Sequence, residues 1–123
     1  MVQKIAYNAC HGGFGLSELA YAMYAELSGF TLYIEEREFG FNYYKIPAHE
    51  VTDENYDEVS IYHGDMKRDD PILVRVIEKL GNDASDKYSF LKVVEIPDDV
   101  EWQIEEYDGR EWIAEKHRIW PQS

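Results

Sequence analysis

Asn8, Cys10, His11 and Phe14 stand in one short stretch, interleaved with Gly12, Gly13 and Gly15. Three glycines within four positions let a main chain approach a ligand closely. Ser17 offers a helix N-cap just beyond, and the first amides of such a helix lack intrahelical partners and can hold phosphate oxygens. Read as chemistry, Asn8, His11, Gly12, Gly13 and Phe14 suit a small, partly anionic ligand. Read as architecture, the glycines only serve a tight turn. The stretch is neither a P-loop, since it lacks the Lys-Ser/Thr pair, nor GxGxxG.

Cys10 and His11 also raise thiol catalysis. Neighbouring residues on an extended chain point to opposite faces, so the pair needs the loop to turn, or a second histidine from His49, His63 or His117. A structural cysteine is the competing account. The four histidines have no HxxxH spacing, the single cysteine excludes CxxC, and the acidic residues form no EF-hand pattern. No metal and no cofactor are expected.

Arginine is scarce, which draws attention to Arg37, Arg68 and Arg118. A guanidinium can fork onto phosphate and stack on a ring. Arg118, between His117 and Trp120, ranks first; Arg37 follows a strand and Arg68 precedes a helix. For each, a surface ion pair worth ~0–1 kcal/mol is the alternative.

These residues need a scaffold, and 123 residues at 45% hydrophobic and 15% aromatic content supply a single folded domain, 1–123. Ten tyrosines suit half-wet sheets and subunit interfaces. The formal charge of −13 opposes nucleic-acid polymers and anionic membranes. A mononucleotide-sized pocket stays open to it, because salt screens a distant acidic surface within ~10 Å. One cysteine forms no intrachain disulfide, the start has no signal-like apolar run, and no stretch reaches the roughly 20 apolar residues of a membrane span. A reducing cytosol is expected.

Residues 2–8 read as a strand, and residues 17–28 as a helix stopped by Gly29, with Leu16, Leu19, Ala20, Met23 and Leu27 as its stripe. Strands at 30–36 and 41–46 flank Gly40 as a hairpin, and 48–70 is irregular with a brief strand at 59–62. The second helix has Asp70 at its N-cap, Pro71 at its first position and Gly81 past its end. A strand at 91–96 precedes a hairpin over 100–115. Its Asp108-Gly109 turn sets Ile104 opposite Ile113, and the many glutamates on it read as a solvated face. The sum is an α+β domain, a mostly antiparallel sheet of about six strands with two helices. The first strand–helix–strand unit leaves room for a parallel pair. Exposed edges and aromatics favour a homo-oligomer, a dimer or a multiple of dimers.

The opening Lys-Ile-Ala-Tyr-Asn-Ala-Cys-His-Gly-Gly-Phe-Gly-Leu-Ser, the Arg68-Asp69-Asp70-Pro71 run, and the tail from Val94-Glu95-Ile96-Pro97 to His117-Arg118-Ile119-Trp120 resemble a family of small bacteriophage and prophage proteins. Within it the chain looks like the first class of Thoeris anti-defence proteins. The resemblance covers roughly 1–28 and 66–120. It implies a non-enzymatic, oligomeric sponge in the cytoplasm of the infected bacterial host. Such a sponge captures the cyclic ADP-ribose isomer made by host TIR-domain proteins, and some members take up cyclic oligonucleotides. That ligand asks for an aromatic face, amide-type donors and arginine. Phe14 or Phe90, Asn8 or Asn82, and Arg37, Arg68 and Arg118 can supply them by chemistry. Two other classes stay open: a small nucleotide-directed hydrolase using Cys10 or His11, and an acidic phage protein that binds a host protein.

Overall fold

A computed structural model of the chain describes residues 1–115. In chain order the elements are β1 (Val2–Asn8), α1 (Glu18–Ser28), β2 (Tyr33–Arg37), β3 (Gly40–Tyr44), α2 (Tyr56–Val59), β4 (Ser60–Ile61), α3 (Pro71–Leu80), β5 (Leu91–Pro97), β6 (Trp102–Tyr107) and β7 (Arg110–Glu115). The α+β class holds. Its strands are shared among three small antiparallel sheets, β1-β5, β2-β3-β4 and β6-β7.

In place of the expected room for a parallel pair with the strand after α1, β1 runs antiparallel to β5, from Val2 opposite Pro97 to Asn8 opposite Leu91. Ala6 and Asn8 turn their amides away from β5. Ala6 N–H donates to the Arg68 carbonyl at 2.7 Å, and Asn8 N–H donates to Glu111 Oε1 at 2.9 Å. The outer edge of β1 is thus closed by a carbonyl and a carboxylate where another sheet would use a strand.

Both long helices start and stop as local chemistry dictates. The Ser17 hydroxyl accepts from Ala20 N, and Gly29 at φ 85° closes α1 by donating to Ala25 O and Glu26 O. Asp70 caps α3 through Ile72 N, with Pro71 in its first turn. The buried face of α1 departs from the aliphatic stripe. Leu19 is 53% exposed, whereas Tyr21 is 4% exposed beside Ala20 and Ala25. A tyrosine can occupy such a place only because its hydroxyl finds a partner, here His63. Leu73, Val76 and Ile77 of α3 pack with Ala6, Leu16, Ala20, Ala84 and Leu91 to make the core.

The last two strands form a hairpin in the anticipated register, with Ile104 opposite Ile113 and Glu105 opposite Trp112. Asp108 at φ 51° and Gly109 at φ 85° make the turn. It docks beside β1: Trp102 Nε1 donates to Gln3 Oε1 at one end, and Glu111 receives Asn8 at the other. Glu111 is therefore no solvated-face residue; it is 7% exposed.

Candidate functional site

The glycine stretch after β1 is a crossing of three chain segments. At its root lies Asn8, fully buried. Its Nδ2 donates to Cys10 O at 2.6 Å and to Gly109 O at 2.8 Å, while its Oδ1 accepts from Phe90 N at 2.8 Å. Both amide hydrogens are used inside the protein. A Cβ on Gly12 would run into the Tyr88 carbonyl, and one on Gly109 would run into the His11 carbonyl. These two glycines serve the close approach of the chain to itself. Gly13, at φ 89°, has open space where its Cβ would be. His11 Nδ1 lies 3.3 Å from Asp108 O, and the Cys10 thiol donates to Tyr88 O at 3.1 Å. The thiol and the imidazole thus engage different carbonyls.

Phe14 turns the other way. The Arg68 guanidinium sits 3.8 Å from its ring centroid and forks onto the Glu111 carboxylate, with Nη1 on Oε1 and Nη2 on Oε2 at 2.9 Å. His63 lies on the same ring, its centroid 6.0 Å from that of Phe14. Arg68 is consequently matched by a carboxylate on one side and a ring on the other. Arg37, at the β2-β3 tip, is 2.9 Å from Glu35 and stands on a different sheet from these groups. Arg118 lies outside the described residues.

Two of the sequence candidates do meet. Asn82 and Phe90 line a groove of about 420 Å³ together with Cys10, Lys87 and Tyr88. Phe90 is 43% and Tyr88 62% exposed. Each ring carries an ammonium over its face: Lys92 Nζ lies 5.0 Å from the Phe90 centroid, and Lys87 Nζ lies 5.1 Å from that of Tyr88. Tyr88, Lys87 and Lys92 escaped the sequence reading. The Lys-Tyr and Phe-Leu-Lys spacings around Ser89 were the available signal, since alternation in an extended segment sets Phe90 and Lys92 on one side.

A larger groove of about 830 Å³ opens between the end of α1 and the start of α3, walled in part by Phe30, Lys45, Tyr62 and Lys67. Lys45 Nζ is 5.2 Å from the Phe30 centroid. Tyr24 reaches the same wall and donates its hydroxyl to Asp70 Oδ2 at 2.7 Å. Burial, reinforced by that carboxylate, pushes the Tyr24 pKa up to about 12. Sequence type and spacing mark Asp70 and Pro71 here as helix-start residues and none of these residues as a ligand contact.

Among the described residues no three His, Cys, Asp or Glu side chains gather as metal ligands, and no helix is long and apolar enough to cross a membrane. No family model, no curated protein and no solved structure matches the chain.

Proposed function

We propose that the protein binds and sequesters a cyclic nucleotide signal of the cyclic ADP-ribose type without cleaving it, blocking Thoeris-type immunity in an infected bacterium. The observation that carries this reading is the pair of exposed rings, Phe90 and Tyr88, which line one groove with Asn82, Asp86 and Lys87. Lys87 faces the Tyr88 ring, and Lys92, beside the groove, faces that of Phe90. In this reading adenine stacks on Phe90, the pyrophosphate takes Lys87 and Lys92 as counter-charges, and the Asn82 amide meets a ribose or base edge. Arg68, held by Glu111, has its guanidinium already committed and stands apart from this groove. The groove's volume of about 420 Å³ falls in the ordinary range for small-molecule sites, roughly 300–1,000 Å³. The resemblance of both chain ends to phage sponges supports the same conclusion. A sponge acts stoichiometrically, so slow release matters more than turnover.

Cys10 lines the same groove, which keeps a hydrolase as the second reading. Purified protein incubated with a cyclic ADP-ribose isomer, then denatured by heat, separates the two by chromatography of the supernatant. Intact ligand at one equivalent or less per chain is the expected result. A linear product would move the case to Cys10, and no retention would end both readings.

A further inference from the structure

A separate hollow of about 200 Å³ lies between α1 and the β2-β3-β4 sheet, and its walls are rings. Tyr21 and Tyr44, 4% and 5% exposed, lie at its base; Phe41, Tyr56 and Tyr62, 51%, 48% and 55% exposed, stand around it in water. Five of the ten tyrosines in the chain line this one place, counting Tyr43, which stacks on Tyr21 at 3.9 Å and 13°. Among the described residues, no carboxylate, lysine or arginine lines it. We propose that this hollow is a second binding site, for an uncharged planar heterocycle of the purine base or nucleoside class.

Ring walls accept any flat partner, and a volume below the roughly 300 Å³ of drug-sized sites suits a single ring system. The polar groups at its edge can be assigned. The Tyr21 hydroxyl accepts the His63 backbone N–H at 3.1 Å and pairs with His63 Nδ1 at 2.9 Å. Where the hydroxyl gives its proton to Nδ1, the ring proton of His63 stands on Nε2. Asn42 donates Nδ2 to Glu35 Oε1, which leaves its Oδ1 to accept, and the Ser60 hydroxyl can do either. Donors and acceptors along one aromatic slot match a base that carries both ring nitrogens and an exocyclic amine. A phosphate brought in with that base finds no lysine or arginine among the described lining residues and meets a chain of net charge −13. The site therefore differs from the groove of Phe90 in both residues and ligand charge, and it goes beyond the sequestration reading.

Titration calorimetry and saturation-transfer NMR with adenosine and with adenosine monophosphate test the proposal on the full chain. With the other groove's stacking ring removed by Phe90→Ala, adenosine should saturate one site per chain, with the monophosphate about tenfold weaker or worse. Tyr56→Ser and Tyr62→Ala, both on the exposed rim, should each weaken adenosine by about tenfold, in keeping with the loss of one stacking ring. Phe90→Ala should abolish retention of the cyclic nucleotide while keeping the adenosine site among the tyrosines, so the two readings fail separately. Absence of adenosine binding, equal affinity for the monophosphate, or loss of adenosine in Phe90→Ala each overturns the proposal. Light scattering on Phe39→Ser covers the remaining occupant. If adenosine binds only once this 94% exposed side chain is removed and an oligomer falls apart, the hollow belongs to a second copy and the proposal fails.

Discussion

Glu111 binds Arg68 and Asn8 at once: its carboxylate takes both arms of the guanidinium while Oε1 also accepts the backbone N–H of Asn8. The side chains are 19% and 8% exposed for Arg68 and Glu111, so water screens the pair poorly. Removing one member of a buried pair leaves an uncompensated charge, and such losses run to about 3–5 kcal/mol. Glu111→Ala should reduce the free energy of urea unfolding by about that amount, read from tryptophan fluorescence. The double replacement Arg68→Met with Glu111→Leu should recover part of it. Recovery stays incomplete because the Asn8 amide still lacks an acceptor. A Glu111→Ala protein as stable as the parent would show that the pair contributes nothing net.

Acid should weaken the fold through His63. Burial holds its pKa below the ordinary 6.5, with the Arg68 charge adding to that effect and Asp86 opposing it. The unfolded chain then binds a proton more readily than the folded one as pH drops below about 6.5. Stability associated with neutral His63 is complete above that value and is lost as pH falls toward the folded-state pKa. Melting temperatures measured from about pH 7.5 down to about 5.5 should decline. His63→Asn, which keeps an acceptor for the Tyr21 hydroxyl, should flatten that decline. An unchanged slope in the variant would assign the effect elsewhere.

Two neighbouring glycines should respond differently to alanine. Gly12→Ala forces a methyl into the Tyr88 carbonyl, a backbone atom that cannot swing aside. Overpacking of this kind costs about 1–3 kcal/mol and displaces the wall of the Phe90 groove. Gly13→Ala meets open space and carries only the strain of φ 89°, about 1–2 kcal/mol. Thermal melts combined with nucleotide retention should show Gly12→Ala losing more of both. Equal loss of retention would mean that the contact with Tyr88 does not shape the groove.

Asp70 has two duties, capping α3 through Ile72 N and receiving the Tyr24 hydroxyl. Asp70→Ala should cost about 1 kcal/mol for the lost cap. The same change removes a carboxylate that helps to hold the Tyr24 pKa near its raised value of about 12. Spectroscopic titration of tyrosinate should find one tyrosine ionising at lower pH in the variant. If the titration curve does not move, burial alone accounts for Tyr24.

What could be read in the residues was what depends on near neighbours. Ser17, Asp70, Pro71 and Gly29 mark helix ends through contacts within one turn, and Asp108-Gly109 sets the register of its hairpin. The direction in which an element faces depends on distant partners. Glu111 sat among glutamates and looked solvated, yet Arg68, separated from it by 43 positions, brings it inside. Tyr21 was passed over for Leu19 because its usefulness depends on His63, 42 positions on. The candidate site divides the same way. Asn82 and Phe90 share a groove, Asn8 is consumed by the fold, and Arg37 stands on another sheet. The lysines over Phe90 and Tyr88 carried no distinguishing local mark beyond their spacing.

The first strand has its partners far downstream: Phe90 reaches Asn8 across 82 positions and Glu111 across 103. A ribosome therefore delivers Val2–Asn8 long before the strand that pairs with it, β5, exists. Closure of such long loops is slow, and an apolar strand left waiting is a target for chaperones and for neighbouring nascent chains. Synthesis of this protein in quantity should accordingly depend more on how quickly β5 and the β6-β7 hairpin emerge than on how well the early helix forms.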